Sequence, residues 1–146
     1  MYNNTFKLIF VNVFLFSVVG ISYFYGYISQ YFEDDASRIS YVLAFLIFLN
    51  TILTIFQSYK DEKLGVKNAS EIKRWLHWIK PYMPFIGVIG TSKGLSLLFH
   101  ALNVSGDPKD ILTALKVGCL TLANTTLIGL IGFLWLGFNF YLIGEE

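Results

Sequence analysis

The chain has 146 residues, of which 55% are hydrophobic and only 14% are charged, and its mean hydropathy is +0.57. Because a water-soluble domain usually carries about a quarter charged residues, this balance indicates a membrane protein. The formal net charge of +1 argues against nucleic-acid binding, and the single cysteine, Cys119, excludes a disulfide within the chain.

Four apolar stretches are long enough to cross a bilayer as helices, since about 20 residues are needed. In chain order they cover about residues 8–29, 39–57, 82–103 and 111–143. The first is too long for the apolar part of a signal peptide, so we expect it to be retained. The last is longer than the ~30 Å hydrocarbon core requires and should tilt or project. The predicted fold is an all-α integral membrane protein with four transmembrane helices.

The connections between these stretches predict the orientation. The first connection is acidic, the third is short, and the second, about residues 58–80, is rich in lysine and arginine. Positively charged connections favour the cytoplasmic side, so both termini are predicted to be cytoplasmic.

The basic connection also carries a helix signal. Asn68 and Glu71 have the spacing of a capping box, and Trp75 and Trp78 suit a membrane interface. We expect a short interfacial helix between spans 2 and 3 that enters the third span, in preference to a plain surface linker. The chain then divides into an N-terminal transmembrane hairpin, a linker helix and a C-terminal transmembrane hairpin, at residues 1–57, 58–81 and 82–146.

Two stripes of small residues run along the third and fourth predicted spans. The third span has Gly87, Gly90, Thr91 and Gly94 within one arc of the helix. The fourth repeats small residues at three- and four-residue spacing: Ala114, Gly118, Thr121, Thr125, Gly129 and Gly132. Small residues let membrane helices approach closely, so both stripes are expected to be packing seams. The threonines, with Asn124 nearby, alternatively offer polar groups to an ion or to a helix of another chain.

Three basic side chains fall inside the predicted spans. Lys93 lies near the middle of the third span, His100 lies two turns later, and Lys116 lies near the start of the fourth. A lysine near the bilayer centre costs ~2.5–3.5 kcal/mol on insertion scales. We expect Lys116 to reach the headgroups and Lys93 to face protein or water. The alternative is a helix that sits lower, so that Lys93 also reaches the headgroups.

The run "GVIGTSKGLSLLF", followed by a span beginning "DILTALKVGCLTL", resembles the MotA/TolQ/ExbB proton-channel family. The residues that fit the family pattern in the third span are Gly87, Gly90, Thr91, Gly94, Leu95 and Phe99. In the fourth span Ala114 and Leu115 fit. Gly118 stands where a threonine is usual, and Thr121 stands where a glycine is usual. The resemblance covers about residues 85–125.

The resemblance implies an assembly in a bacterial inner membrane. This subunit would form a homopentameric ring around the single spans of a dimeric partner whose spans each carry an aspartate. Flow of H⁺ or Na⁺ past that aspartate would drive a motor. Carried over by position, Thr91 would line the ion path. Thr121, Thr125 and Asn124 are the further candidates for facing the partner.

Two other functions stay open beside the motor subunit. One is a non-conducting membrane scaffold whose stripes only assemble helices, and the other is a lytic pore former, which fits the size but not the motif. The sequence shows no spacing typical of a metal site, a phosphate-binding loop or an enzyme active site, so neither a cofactor nor catalysis is expected.

Overall fold

The computed structural model describes residues 3–65, 71–104 and 108–143, and the regular structure in these ranges is entirely helical. The helices are α1 (Asn3–Phe24), α2 (Ser29–Glu33), α3 (Ile39–Leu64), α4 (Glu71–Val104) and α5 (Pro108–Leu142). All but the five-residue α2 are long and apolar enough to cross a membrane. The expectation of an all-helical chain with four helices of spanning length is therefore confirmed, and this is the architecture of a multi-pass membrane protein.

The acidic connection between α1 and α3 is an ordered turn rather than a loose loop. Gly26 leaves the helical conformation with a φ of +83°, which suits a residue without a Cβ. Asp35 is buried, and its carboxylate accepts hydrogen bonds from the backbone N–H groups of Ser37 at 2.9 Å and Ser40 at 2.7 Å. The carboxylate thereby satisfies donors at the start of α3, as a capping residue does.

The helix expected in the basic connection is the first part of α4, which continues unbroken through Pro81 and Pro84. Its apolar face is buried: Leu76 forms one core cluster with Leu8, Phe140 and Ile143. This packing stabilises the segment as the first turns of α4, while Trp75 and Trp78 remain exposed. Asn68 of the predicted capping box lies outside the described residues, and the placement of this segment at a membrane interface stays a prediction.

The principal core lies where α3, α4 and α5 meet. Leu43 and Ile47 of α3 pack with Met83 of α4 and with Ile128 and Leu136 of α5. By contrast, α1 lies at the edge of the bundle, and its large side chains at 6, 10 and 14 are exposed. Exposed apolar side chains of this kind suit a helix surrounded by lipid, because the free-energy cost of exposing apolar surface arises in contact with water.

Candidate functional site

The two small-residue stripes face each other across the interface of α4 and α5. A Cβ built on Gly94 would lie 2.8 Å from the carbonyl oxygen of Gly118, and one on Gly118 would lie 3.0 Å from the carbonyl oxygen of Gly94. These neighbours are backbone atoms, which cannot rotate away as a side chain can. The absence of a side chain at both positions is therefore what lets the two helices approach this closely.

The same close approach continues along the interface. A Cβ on Gly87 would lie 2.7 Å from the carbonyl oxygen of Thr125, and one on Gly129 would lie 2.8 Å from that of Met83. At Gly90 the nearest atom would be the Cβ of Thr125, at 2.6 Å. We call this contact, from Gly94 and Gly118 to Gly87 and Gly129, the glycine seam.

A pair of half-buried hydroxyls lies beside the glycine seam. The Oγ1 atoms of Thr91 and Thr126 are 2.7 Å apart, and either can donate to the other. Thr126 Oγ1 also lies 3.0 Å from the carbonyl oxygen of Leu122, to which it can donate, one turn earlier in its own helix. Neither threonine is fully covered by the chain, in contrast to the glycines next to them.

Thr121 lies on the other side of the seam and contacts the turn between α2 and α3. Its hydroxyl accepts a hydrogen bond from the N–H of Ala36 at 3.1 Å and donates to the carbonyl oxygen of Asp34 at 3.3 Å. The side chain is fully buried, so within the single chain its role is to hold this turn against α5. Its predicted contribution to an ion path stays a prediction.

The other two polar candidates of α5 are also buried. Thr125 donates to the carbonyl oxygen of Thr121 at 2.8 Å and is covered by Gly90 of the opposing helix. Asn124 is 4% exposed and lines a small cavity whose other walls include Tyr31 and Asp34. Neither side chain is presented to a partner by the chain alone.

The three basic side chains of the predicted spans lie on the outside of the chain. Lys93 and His100 are exposed on α4, and Lys116 is exposed on α5. Lys93 is therefore not covered by another helix of its own chain. If it faces protein, as predicted, that protein must be a second polypeptide.

Sequence reasoning missed a buried polar cluster that joins the first and last long helices. Asn12 donates through Nδ2 to Oδ1 of Asn139 at 2.8 Å, and its Oδ1 accepts from the indole N–H of Trp135 at 2.8 Å. Asn139 in turn donates to the hydroxyl of Thr51 on α3 at 3.5 Å. Both asparagines are at most 2% exposed. Such bonds hold helices together where lipid offers polar groups no alternative partner.

A polar stripe on α3 was also missed. Its buried members recur at helical spacing, one turn to the next: Asn50, Thr51, Thr54, Gln57 and Ser58. Trp75 of α4 donates to Asn50 at 3.1 Å, and the hydroxyls of Ser58 and Thr5 of α1 are 3.0 Å apart. The signal was readable in "NTILTIFQS", where polar residues return every three or four positions within an apolar run.

Charged groups gather at the end of α3 that leads into the basic connection. Lys73 Nζ lies 2.8 Å from a carboxylate oxygen of Asp61. Glu62 accepts the N–H groups of Asn4 at 2.7 Å and Thr5 at 3.3 Å, both in the first turn of α1. In the three described ranges, no three His, Cys, Asp or Glu side chains come together as metal ligands would.

The chain matches no family model, no curated protein and no solved structure. The resemblance to the MotA/TolQ/ExbB family therefore rests on the third-span residues Gly87 to Phe99 and on the Ala114–Leu115 pair. Family membership stays a prediction, and what it implies about function is a proposal.

Proposed function

We propose that the chain is the ion-conducting ring subunit of a motor driven by an ion gradient, assembled around single-span partner helices that carry an aspartate. The observation that carries the proposal is the half-buried pair formed by Thr91 and Thr126, with 2.7 Å between the hydroxyl oxygens. This pair lies at the edge of a rigid two-helix unit, where a helix of another chain can reach it.

The glycine seam supports the proposal by fixing the pair in place. Thr91 lies on α4 and Thr126 on α5, so their separation depends on how closely the two helices pack. Gly87 and Gly94 on one helix and Gly118 and Gly129 on the other bring the backbones into direct contact. A site built on tightly packed helices holds its geometry better than one built on loops.

The hydroxyl pair can serve a carboxyl group in both of its protonation states. When Thr126 donates to the Leu122 carbonyl oxygen, Thr91 donates to Thr126 and keeps lone pairs free on its own oxygen. A protonated aspartic acid of the partner can donate to that oxygen. An ionised aspartate needs a donor instead, and rotation of the Thr91 hydroxyl supplies one. Gain or loss of an ion thus changes the preferred bond, which is the two-state behaviour a motor requires.

The surroundings of the pair suit a sliding contact. Val88, Leu95 and Leu130 lie three or four residues from the pair on the same side, and all three are exposed and uncharged. A partner helix that contacts these positions would meet apolar side chains beside the hydroxyls of the two threonines. Val88, Leu95 and Leu130 offer no hydrogen-bonding side chain to an aspartate of that helix. We therefore expect the aspartate to form its hydrogen bonds with the Thr91–Thr126 pair.

The test is to express the chain with its neighbouring single-span protein in vesicles and to measure ion flux and assembly separately. We expect Thr91→Ala to abolish ion-dependent activity while the oligomer still forms, and Thr91→Ser to retain most of it because the hydroxyl remains. Thr113→Ala is the matched control, since Thr113 is an exposed α5 threonine whose hydroxyl donates to the carbonyl oxygen of Lys109. Undiminished activity in Thr91→Ala would contradict the proposal.

A non-conducting scaffold is the second candidate, and one observation favours it. Thr121 and Thr125 are fully buried and hydrogen-bonded inside the chain, as residues that only pack helices would be. Under this alternative, Thr91→Ala weakens assembly and no ion flux depends on the pair. Native mass measurement of the complex, carried out beside the flux assay, separates the two functions.

A further inference from the structure

A cavity of about 300 Å³ lies between α1, α2, α3 and α5, away from the glycine seam. Ile47 and Ile128 form its floor and are buried. Phe16 and Trp135 line it from α1 and α5, with ring centroids 4.9 Å apart, and Tyr31 and Phe32 line it from α2. Its walls are almost wholly apolar, so it offers water almost no hydrogen-bonding partners.

The cavity opens sideways, onto the surface that faces lipid in a membrane. Four of its wall residues are exposed and form its rim: Val19 at 39%, Tyr31 at 37%, Leu127 at 46% and Ile131 at 44%. Val19, Leu127 and Ile131 lie within helices of spanning length, whereas Tyr31 lies in α2, in the connection between α1 and α3. When these helices span a bilayer, the opening faces lipid on the side of that connection.

The size of the cavity limits what can enter it. An apolar protein cavity of about 150 Å³ holds one benzene molecule, so 300 Å³ corresponds to roughly twelve carbon atoms. One turn of an α-helix with its side chains, about 10 Å wide and 5.4 Å long, takes roughly 400 Å³. A helix of a second chain is thus too wide, whereas a single hydrocarbon chain fits.

We propose that this cavity binds one acyl chain of a membrane lipid. An empty apolar void deprives its lining atoms of dispersion contacts, and a lipid chain restores them. Lipid is also the molecule present at the opening at the highest concentration. The proposal does not depend on the ion-motor function, because the cavity and the Thr91–Thr126 pair share no residue.

Trp135 makes the proposal measurable. Its indole N–H is hydrogen-bonded to Asn12 at 2.8 Å, so the ring is held at the cavity wall. Replacing the two other tryptophans, Trp75→Phe and Trp78→Phe, leaves it as the only tryptophan of the chain. This protein is reconstituted in vesicles of phosphatidylcholine with brominated acyl chains, and bromine quenches the fluorescence of an indole that it contacts.

Variants whose larger side chains fill the cavity are compared with the unfilled protein to test the proposal. Ala44→Phe adds a ring from the α3 wall, and Val19→Phe adds bulk from the rim on α1; both positions line the cavity. Ala123→Phe, at an exposed α5 position outside the cavity lining, is the matched control for added bulk at the lipid surface. We expect the two filling variants to lower the bromine quenching of Trp135 at least twofold and the control to leave it unchanged.

Two results would overturn the proposal. One is strong quenching that neither filling variant reduces, which would mean that Trp135 meets only lipid passing over the surface. The other is weak quenching in the unfilled protein, which would mean that the cavity closes or that protein covers it. Because Val19 lies at the rim, its variant keeps the test valid if Ala44→Phe does not fold, as judged by circular dichroism.

Discussion

Gly94 and Gly20 are both helical glycines, but a side chain added at each would meet very different surroundings. Gly94 lies in the glycine seam, where a Cβ would come within 2.8 Å of a backbone oxygen and 3.1 Å of a backbone nitrogen. Gly20 lies in α1 with nothing within 4 Å of an added Cβ. From the sequence alone, both glycines are expected to weaken their helices. Only the atoms around each glycine show that Gly94 is needed for helix packing and Gly20 is not.

We predict that Gly94→Ala destabilises the chain by about 1–3 kcal/mol, because the helices must separate to admit one methyl group. Gly20→Ala should be neutral or stabilise by up to about 1 kcal/mol, since alanine is the better helix former. Unfolding of both variants in mixed detergent and denaturant measures the difference. Equal stability of the two variants would mean that α4 and α5 are not packed as described.

The hydroxyls of Thr91 and Thr121 illustrate what the sequence can and cannot tell at this scale. Both threonines were singled out from their spacing, and both lie along the α4–α5 interface. Spacing did not reveal that Thr121 holds the turn at Asp34 and Ala36. That bond joins residues 85 or more positions apart, and no local pattern encodes such a pairing.

At the scale of single helices, α1 is held by a cap that another helix provides. Glu62 of α3 accepts the backbone N–H groups of Asn4 and Thr5, which have no partner inside their own helix. A carboxylate also suits this place because the start of a helix carries partial positive charge. The Glu62 carboxylate thus caps α1 and also ties its first turn to α3.

We predict that Glu62→Ala frays the first turn of α1 and raises amide hydrogen exchange there by about tenfold, which corresponds to about 1.4 kcal/mol of lost local stability. The rate of amide hydrogen exchange in α5 should be unchanged. Glu33→Ala, which removes an exposed carboxylate from α2, is the control. If both variants exchange alike at residues 4–8, the bond from Glu62 does not hold α1.

Helix existence was predictable because spans of this length and apolarity have few alternatives in a bilayer. The residues at which the helices begin and end were less predictable. The helix α4 begins at Glu71, eleven residues before the predicted start of the third span at 82; in this segment Leu76 packs against the cluster of Leu8 and Phe140, and Ile79 packs into the principal core. A hydropathy profile is lowered by the lysines and the two prolines of this segment. It contains no information about the other helices against which the segment packs.

At the scale of the whole molecule, Asn12 and Asn139 tie the beginning of the chain to its end. They are 127 positions apart, and the bond between them is buried beside Trp135. Neither asparagine was distinguished in the sequence, because each stands alone in an apolar stretch. Their pairing becomes visible only once α1 and α5 are seen side by side.

We predict that Asn12→Leu destabilises the chain by about 1–2 kcal/mol, since it leaves Asn139 and Trp135 without their buried partner. The double variant Asn12→Leu, Asn139→Leu should recover part of the loss because it also removes one unpaired group. A double-mutant cycle on thermal unfolding in detergent gives the coupling between the two positions. Additive losses would show that the two amides do not act as a pair.

The described hydrogen bonds between α1 and the other long helices come from Asn4, Thr5 and Asn12, whereas beyond Asn12 the described contacts of α1 are ring contacts made by Phe16 and Tyr23. Its last twelve residues span about 18 Å, and a swing of about 10° displaces their tip by about 3 Å. Spanning helices lean over when a bilayer thins. Because the second half of α1 is held by apolar contacts that can slide, we expect a thinner bilayer to tilt it and so to change the width of the cavity in front of Trp135.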